Sequence, residues 1–220
     1  MKTKQAGFTL VEIAIVLVII GLLLGGILKG QEMITQAKIK NLISDFSGVS
    51  AAYHGYQDRY RAMPGDDPGA GRWTGVTAST TSGNGVLTGT YNVATATPEP
   101  ESRMFWQHLR LAGFISGTGA AQPPNSVNGI VGTQMGDGAA TPASVMGGFN
   151  GLLTCSSNVP DKMAIAVDSQ LDDGDARAGT LRGQIHASGD PISPAIATTV
   201  PGANYVETSS STIYTVCKTL

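Results

Sequence analysis

The sequence predicts an α+β fold, in which a long N-terminal helix packs its outer half on a small C-terminal antiparallel sheet. Three observations support this prediction. Residues 8–28 form an apolar run with a single charge, residues 42–60 place apolar side chains on one helix face, and β-branched residues concentrate near the C-terminus. An apolar helix stripe and an apolar sheet face are both removed from water when they cover each other, so these elements are expected to share a core.

The apolar run from Phe8 to Leu28 has the length of a membrane-spanning helix, because about 20 residues cross roughly 30 Å of hydrocarbon. Lys2 and Lys4 precede it, which places the N-terminus in the cytoplasm and the remaining chain outside. Two other interpretations are a secretory signal peptide and a plain membrane anchor. A signal peptide fits poorly, since the run is too long and no small-residue cleavage site follows it.

Glu12 is the one charged residue inside this run. A carboxylate in lipid costs roughly 2.5–3.5 kcal/mol at the bilayer centre and less near the interface. The neighbouring sequence offers no cation to pair with it, since Lys29 lies at the far end of the run. The pattern therefore predicts a partner on another molecule.

Gly7 followed directly by Phe8-Thr9-Leu10-Val11-Glu12 resembles the processing site of type IV prepilins and of the pseudopilins of type II secretion. The resemblance implies that residues 1–7 are a leader, which a prepilin peptidase removes by cutting between Gly7 and Phe8. It also implies that Phe8 becomes N-methylated. Glu12 then acts as the assembly glutamate, which neutralises the N-terminal amine of a neighbouring subunit.

The same resemblance implies the partners and the location. The partners are identical or homologous pilin subunits, prepilin peptidase, an inner-membrane assembly platform and, before assembly, the lipid bilayer. The chain is expected to cross the bacterial inner membrane once with its head outside the cytoplasm, and then to enter a filament. One departure is that no proline occurs between Met1 and Met63, where many pilins carry one, so a proline kink is not expected.

Residues 29–62 are predicted to continue the helix in amphipathic form beyond the membrane-spanning residues 8–28, and residues 63–220 to form the head. The helix should end near Ala62, because the residue before Pro64 disfavours helical backbone. The expected buried stripe repeats every three or four residues and consists of Leu42, Phe46, Val49, Tyr53, Tyr56 and Tyr60.

Within the head, glycine and proline predict loops over residues 64–97 and 117–151, separated by a short helix. That helix should begin near Pro98 and Pro100 and stop at Gly113, with Phe105, Leu109 and Ala112 facing inward and Trp106 at the edge. Three segments are predicted to be strands: Met163–Val167, Thr180–Ile185 and Thr212–Cys217.

Cys155 and Cys217 both fall in the exported part of the chain, where an oxidising compartment favours a disulfide. Closing a loop of about 60 residues stabilises the fold by up to roughly 4 kcal/mol in the chain-entropy model. The alternative is two free buried thiols.

An acidic cluster formed by Asp168, Asp172, Asp173 and Asp175 surrounds Gly174. Closely spaced carboxylates can hold calcium, and calcium sites occur in the heads of some pseudopilins. The spacing does not match an EF-hand loop. The other interpretation is an Asp-Gly turn between strands, with Arg177 neutralising part of the charge. Calcium is the one cofactor that the sequence suggests.

Catalysis has little support, because His54, His108 and His186 fall in different elements and outside any recognised catalytic motif. A net charge of −2 argues against a nucleic-acid-binding surface. The sequence therefore predicts a non-enzymatic structural subunit of a pilus or of a secretion pseudopilus. The alternative is a minor pilin that acts as an adhesion or binding module through its head loops.

Overall fold

A computed structural model describes Gly7 and residues 9–76, 82–96, 99–136, 148–149, 151–186, 204–207 and 212–220. It confirms an α+β fold with a long apolar N-terminal helix and a small antiparallel sheet of pilin-like layout. In chain order the elements are α1 (Leu10–Tyr60), a 3-10 turn (Ala70–Arg72), α2 (Glu101–Leu111), β1 (Val131–Met135), β2 (Leu152–Pro160), α3 (Asp161–Leu171), β3 (Leu181–His186) and β4 (Ile213–Thr219).

Helix α1 runs without interruption for 51 residues, in agreement with the absence of proline. It ends at Tyr60, where Arg61 adopts a left-handed conformation with φ 53° and donates its backbone N–H to the Gln57 carbonyl at 2.8 Å. The predicted stripe is confirmed, since five of its members are buried and Tyr60 is partly buried. Ile39 and Ala52 extend the buried face.

The chain divides into two compact units, Met1–Lys38 and Ile39–Leu220. In the second unit, two apolar clusters lie against the buried face of α1. One joins Ile39, Leu42 and Phe46 to α3 and to strands β2, β3 and β4. The other joins Val49 to Tyr56 with α2 and with strands β1 and β2. The outer half of α1 thus forms part of the head core, as the stripe predicts.

Helix α2 begins after Pro100 and ends at Leu111, close to the predicted limits. Phe105 and Leu109 are buried as expected, but the prediction for Trp106 is wrong: its side chain is 0% exposed. Trp106 packs edge-on against Phe105 with ring centroids 5.2 Å apart. Trp106 belongs to the same buried cluster as Val131 of β1, and Ile115 from the loop after α2 packs against that cluster.

The sheet in the described residues has four antiparallel strands in the order β1-β2-β4-β3. The predicted strands near residues 180–185 and 212–217 correspond to β3 and β4. Strands β1 and β2 were not predicted. The central strand β2 carries the buried polar residues Thr154, Ser156 and Ser157, so it lacks the apolar alternation that marks a strand.

The predicted strand at Met163–Val167 is wrong, because these residues lie in helix α3. Pro160 precedes the helix with φ −59°, and Asp161 places a negative charge in its first turn, both of which favour a helix start. Met163, Ala164 and Val167 are buried. Their spacing of one and three residues is helical, and it prevailed over the alternation of large and small side chains.

Candidate functional site

The N-terminus of α1 is closed by reciprocal hydrogen bonds between Thr9 and Glu12. The backbone N–H and the Oγ1 hydroxyl of Thr9 donate to Glu12 Oε2 at 2.8 and 2.7 Å, and the Glu12 N–H donates to Thr9 Oγ1 at 3.3 Å. This is a capping box, which satisfies backbone donors that the first helical turn leaves unpaired. The Thr-x-x-Glu spacing of Thr9 and Glu12 is the sequence signal of this cap.

The capping box gives Glu12 a hydrogen-bond partner within its own chain. The partner is a neutral threonine, however, and no described cation lies near the carboxylate; along an α-helix Lys29 is roughly 25 Å away at 1.5 Å per residue. Both bonds from Thr9 end on Oε2, so Oε1 accepts no hydrogen bond from the described residues. One carboxylate oxygen therefore remains open to a further donor.

The predicted cleavage site lies partly outside the described residues, because Phe8 and the leader lysines belong to the part that the structure leaves out. Gly7 itself is exposed, and a Cβ added to it would meet no atom within 4 Å. Cleavage at Gly7 and methylation at Phe8 consequently remain predictions.

The first unit presents apolar side chains to its surroundings on all sides of the helix. Leu10, Leu22 and Leu28 are 89%, 73% and 67% exposed. By length and composition α1 is able to cross a membrane. The apolar 18-residue stretch of the helix that could span the bilayer contains no buried residue. Lys29 and Glu32 form an exposed ion pair at 2.8 Å just after the apolar run. The segment fits membrane anchoring.

The predicted disulfide is present between Cys155 on β2 and Cys217 on β4. The two residues are directly opposite each other in the sheet, and they are separated by 62 positions in sequence. Together with Tyr91, Phe149 and Leu153 they form a third buried cluster. The bridge connects the two central strands of the head.

Three of the four predicted acidic ligands lie together. Carboxylate oxygens of Asp168, Asp172 and Asp173 are within 4.8 Å of one another. Asp168 is buried and accepts hydrogen bonds from the Tyr205 hydroxyl at 2.7 Å and from the Gly174 N–H at 3.0 Å. Burial raises the pKa of the Asp168 carboxyl, although these hydrogen bonds oppose the shift. The oxygens are therefore largely engaged by the protein itself.

The other acidic side chains of this loop also bond locally. Asp172 accepts the backbone N–H of Leu181 at 2.9 Å, and Asp173 accepts that of Asp175 at 2.9 Å. Asp175 pairs with Arg177 at 2.9 Å, which lowers the pKa of its carboxyl to about 2. The loop connects α3 to β3, so the prediction of a turn between two strands is wrong in its first element. The ion pair with Arg177 was predicted correctly.

The structure separates the histidines as expected. His54 is exposed on α1, His108 lies on α2, and the backbone of His186 ends β3. His108 is fully buried, and its Nδ1 accepts the Gly65 N–H at 2.9 Å. Burial lowers the pKa of its imidazole to about 4.

A buried polar group around Asp67 was not predicted. The Tyr56 hydroxyl on α1 and Arg72 Nη1 each donate to Asp67 Oδ2 at 2.5 Å, and the Gly69 N–H donates to Oδ1 at 2.7 Å. Burial raises the pKa of Asp67, but these hydrogen bonds outweigh it and hold the pKa below its usual range. The group fixes the loop after α1 to the head. The only sequence signal was Asp-Asp within a Pro-Gly segment.

The profile of the prokaryotic N-terminal methylation motif matches residues 2–28. Comparison with curated proteins and with solved structures gave no match. The matched residues include Gly7, Phe8 and Glu12, so the chain carries a type IV prepilin/pseudopilin-like signature. That signature indicates a precursor of the pilin type and a structural protein.

Proposed function

We propose that this chain, whose N-terminus carries the prokaryotic methylation motif, is a structural subunit of a type IV pilus or a type II secretion pseudopilus. Prepilin peptidase removes residues 1–7 and methylates Phe8 on the cytoplasmic side of the inner membrane. The mature chain crosses the membrane once with its head outside, and it then polymerises with identical or homologous subunits on an inner-membrane platform.

The observation that supports this proposal best is the state of Glu12. Its Oε2 is occupied by the capping box, whereas Oε1 has no donor among the described residues. Cleavage after Gly7 creates a new ammonium group at Phe8. A buried carboxylate and a buried ammonium are each costly in lipid, while a hydrogen-bonded pair of the two offsets much of that cost. The ammonium of a neighbouring subunit supplies the missing donor.

The exposed apolar segment supports the same proposal. Side chains such as Leu10 and Leu22 are 89% and 73% exposed, and no described residue of the first compact unit is fully buried. Lipid covers them before assembly, and other N-terminal helices cover them in the filament. Packing of this kind depends on close contact rather than on removal from water.

The test compares Glu12→Gln with wild type in the native host, measuring both sheared filaments and total processed protein. We expect membrane insertion and cleavage to persist while filament yield falls by roughly tenfold or more, since a neutral amide cannot compensate the ammonium. Glu32→Gln is the matched control, because Glu32 is exposed and pairs with Lys29 within its own chain. Wild-type filament incorporation by Glu12→Gln would contradict the assembly role.

Processing has a separate test. Replacing Gly7 by a bulky residue should leave the full-length precursor in the membrane, which intact-mass measurement detects. Loss of surface filaments in a deletion strain identifies a pilus, whereas loss of protein secretion identifies a pseudopilus. A deletion that leaves filaments and secretion intact but abolishes attachment supports the alternative, a minor pilin that binds through its head loops.

A further inference from the structure

A groove follows one face of the outer half of α1. The helix contributes Asn41, Ser44, Asp45, Gly48 and Val49, which recur at the three- and one-residue steps of one face. Two adjoining cavities of about 320 Å³ each share Ser44 and Asp45, so the groove spans roughly two helical turns.

The walls of this groove are mainly apolar and aromatic. Its outer end is lined by Phe114 and Ile115 from the loop after α2 and by Pro123 and Pro124, above the buried side chains of Trp106 on α2 and Val131 on β1. The indole Nε1 of Trp106 is buried and has no hydrogen-bond partner among the described residues. Gly48 leaves the helix side open, because a Cβ added there would meet no atom of the described residues within 4 Å.

Asp45 lies in the middle of the groove and contributes to both cavities. Its side chain is half-buried, and it has no hydrogen-bond or ion-pair partner among the residues that the structure describes. Burial raises the pKa of this carboxyl. A half-buried carboxylate without a partner has lost part of its hydration, so a cation in the groove would stabilise it.

The shape of the groove defines which cation fits. Apolar and aromatic walls around a single carboxylate suit a lysine side chain, whose stem packs on apolar surface while its ammonium reaches the charge. Lys40 on α1 is exposed and has no described partner. A second copy of this chain therefore carries the required group on the same helix.

We propose that the groove receives α1 of a second copy of this chain, with Lys40 of that copy paired to Asp45. The proposal rests on the filament function and adds a second contact to it. The surface is heterologous, since one copy offers a lysine and the next offers a groove, and such contacts continue into open helical assemblies.

The positions of the two pairs along α1 agree with each other. Pairing of the Phe8 amine with Glu12 displaces neighbouring copies by four residues, which is about 6 Å along a helix. The same displacement brings Lys40 level with residue 44, one residue or about 1.5 Å from the level of Asp45. A lysine side chain easily spans that difference, so one register satisfies both pairs.

The experiment exchanges the charges in the full chain and measures sheared-filament yield alongside total processed protein. Lys40→Asp and Asp45→Lys should each lower the yield about tenfold, and the double variant should restore it to within about threefold of wild type. Asp58→Lys is the matched control, because Asp58 is an exposed acid on α1 and should tolerate reversal.

A second pair of variants tests the groove without changing charge. Gly48→Leu fills it and should lower filament yield, whereas Gly48→Ala should not, and both should raise helix stability relative to glycine. Formation of the Cys155–Cys217 disulfide in the processed protein shows whether each variant has folded. If Asp45→Lys does not form this disulfide, Asp45→Asn is used in its place.

The outcomes separate this inference from the function on which it rests. If wild type forms filaments and the Lys40→Asp and Asp45→Lys variants give the same filament yield, the inference is overturned but the proposed function is not. The same holds for single losses that the double variant fails to restore while its head is folded. Absence of filaments from wild type would overturn both proposals. Normal filaments combined with lost cell attachment in Asp45→Lys would assign the groove to an external partner instead.

Discussion

The two halves of α1 have the same backbone and opposite surroundings. Residues 10–38 bury no side chain fully, although most of the first twenty are large and apolar. Residues 39–60 bury seven, with charged and polar residues on the remaining faces. Both halves are helical, so their amino-acid composition determines which surroundings they require. A helix that is apolar on all sides has to be covered by lipid or by other helices, whereas a helix with one apolar stripe needs a single covering surface.

The acids of the two regions differ in the same way. Asp67 beside the outer half is fully engaged by Tyr56, Arg72 and the Gly69 backbone. Glu12 in the apolar half uses one oxygen for its own capping box and leaves the other open. Asp67 completes its polar contacts within one chain, whereas Glu12 is completed by another molecule under the proposed function.

The largest expected difference between the two halves is in the free energy of unfolding of the head when one leucine in each half is replaced by alanine. Leu42 is 1% exposed, so Leu42→Ala should lower the free energy of unfolding of the head by roughly 2–5 kcal/mol. Leu22 is 73% exposed, and Leu22→Ala should leave unfolding of the head unchanged. Thermal unfolding of the detergent-solubilised full chain measures both. Equal destabilisation by the two variants would show that the halves do not differ in this respect.

A smaller effect on the free energy of unfolding is expected from a change in pH, and it should arise from a residue of the head. Burial lowers the pKa of His108 from 6.5 to about 4, so the unfolded chain binds a proton at higher pH than the folded chain does. The contribution of neutral His108 is therefore complete above about pH 6.5 and is lost as the pH falls towards 4, by up to about 3 kcal/mol.

The measurement is the difference in unfolding free energy between wild type and His108→Asn across pH 4 to 7. An asparagine oxygen can accept the Gly65 N–H in place of Nδ1, which limits the structural change. The difference should shrink as the medium becomes more acidic. His54→Gln is the matched control, since His54 is an exposed histidine of the same head and lies outside the buried contact with Gly65.

The smallest effect is expected at the acidic loop between α3 and β3. Tyr205 and nearby backbone N–H groups occupy oxygens of Asp168, Asp172 and Asp173, so we expect calcium or a chelator to change the melting temperature of the head little. Asp173→Ala should behave like wild type in both conditions. A rise with calcium that disappears in Asp173→Ala would instead support calcium binding by this loop.

Some parts of the fold followed from local pattern and others did not. The α1 stripe, the limits of α2 and strands β3 and β4 each have a clear period or a clear start and stop signal. Helix α3 was mistaken for a strand because Met163, Ile165 and Val167 alternate with alanine. Strand β2 was missed because Thr154 and Ser156 occupy buried positions that a sheet interior usually gives to apolar residues.

The sequence alone determined the signature at Gly7, Phe8 and Glu12, the long apolar helix and its amphipathic continuation, because these properties depend on residues close together in the chain. Tertiary structure decided the sheet order, the pairing of Cys155 with Cys217 as opposite residues, and the groove around Asp45. Each of these joins residues separated by tens of positions. Their proximity depends on how helices and strands cover one another's apolar surfaces, which local periodicity does not specify.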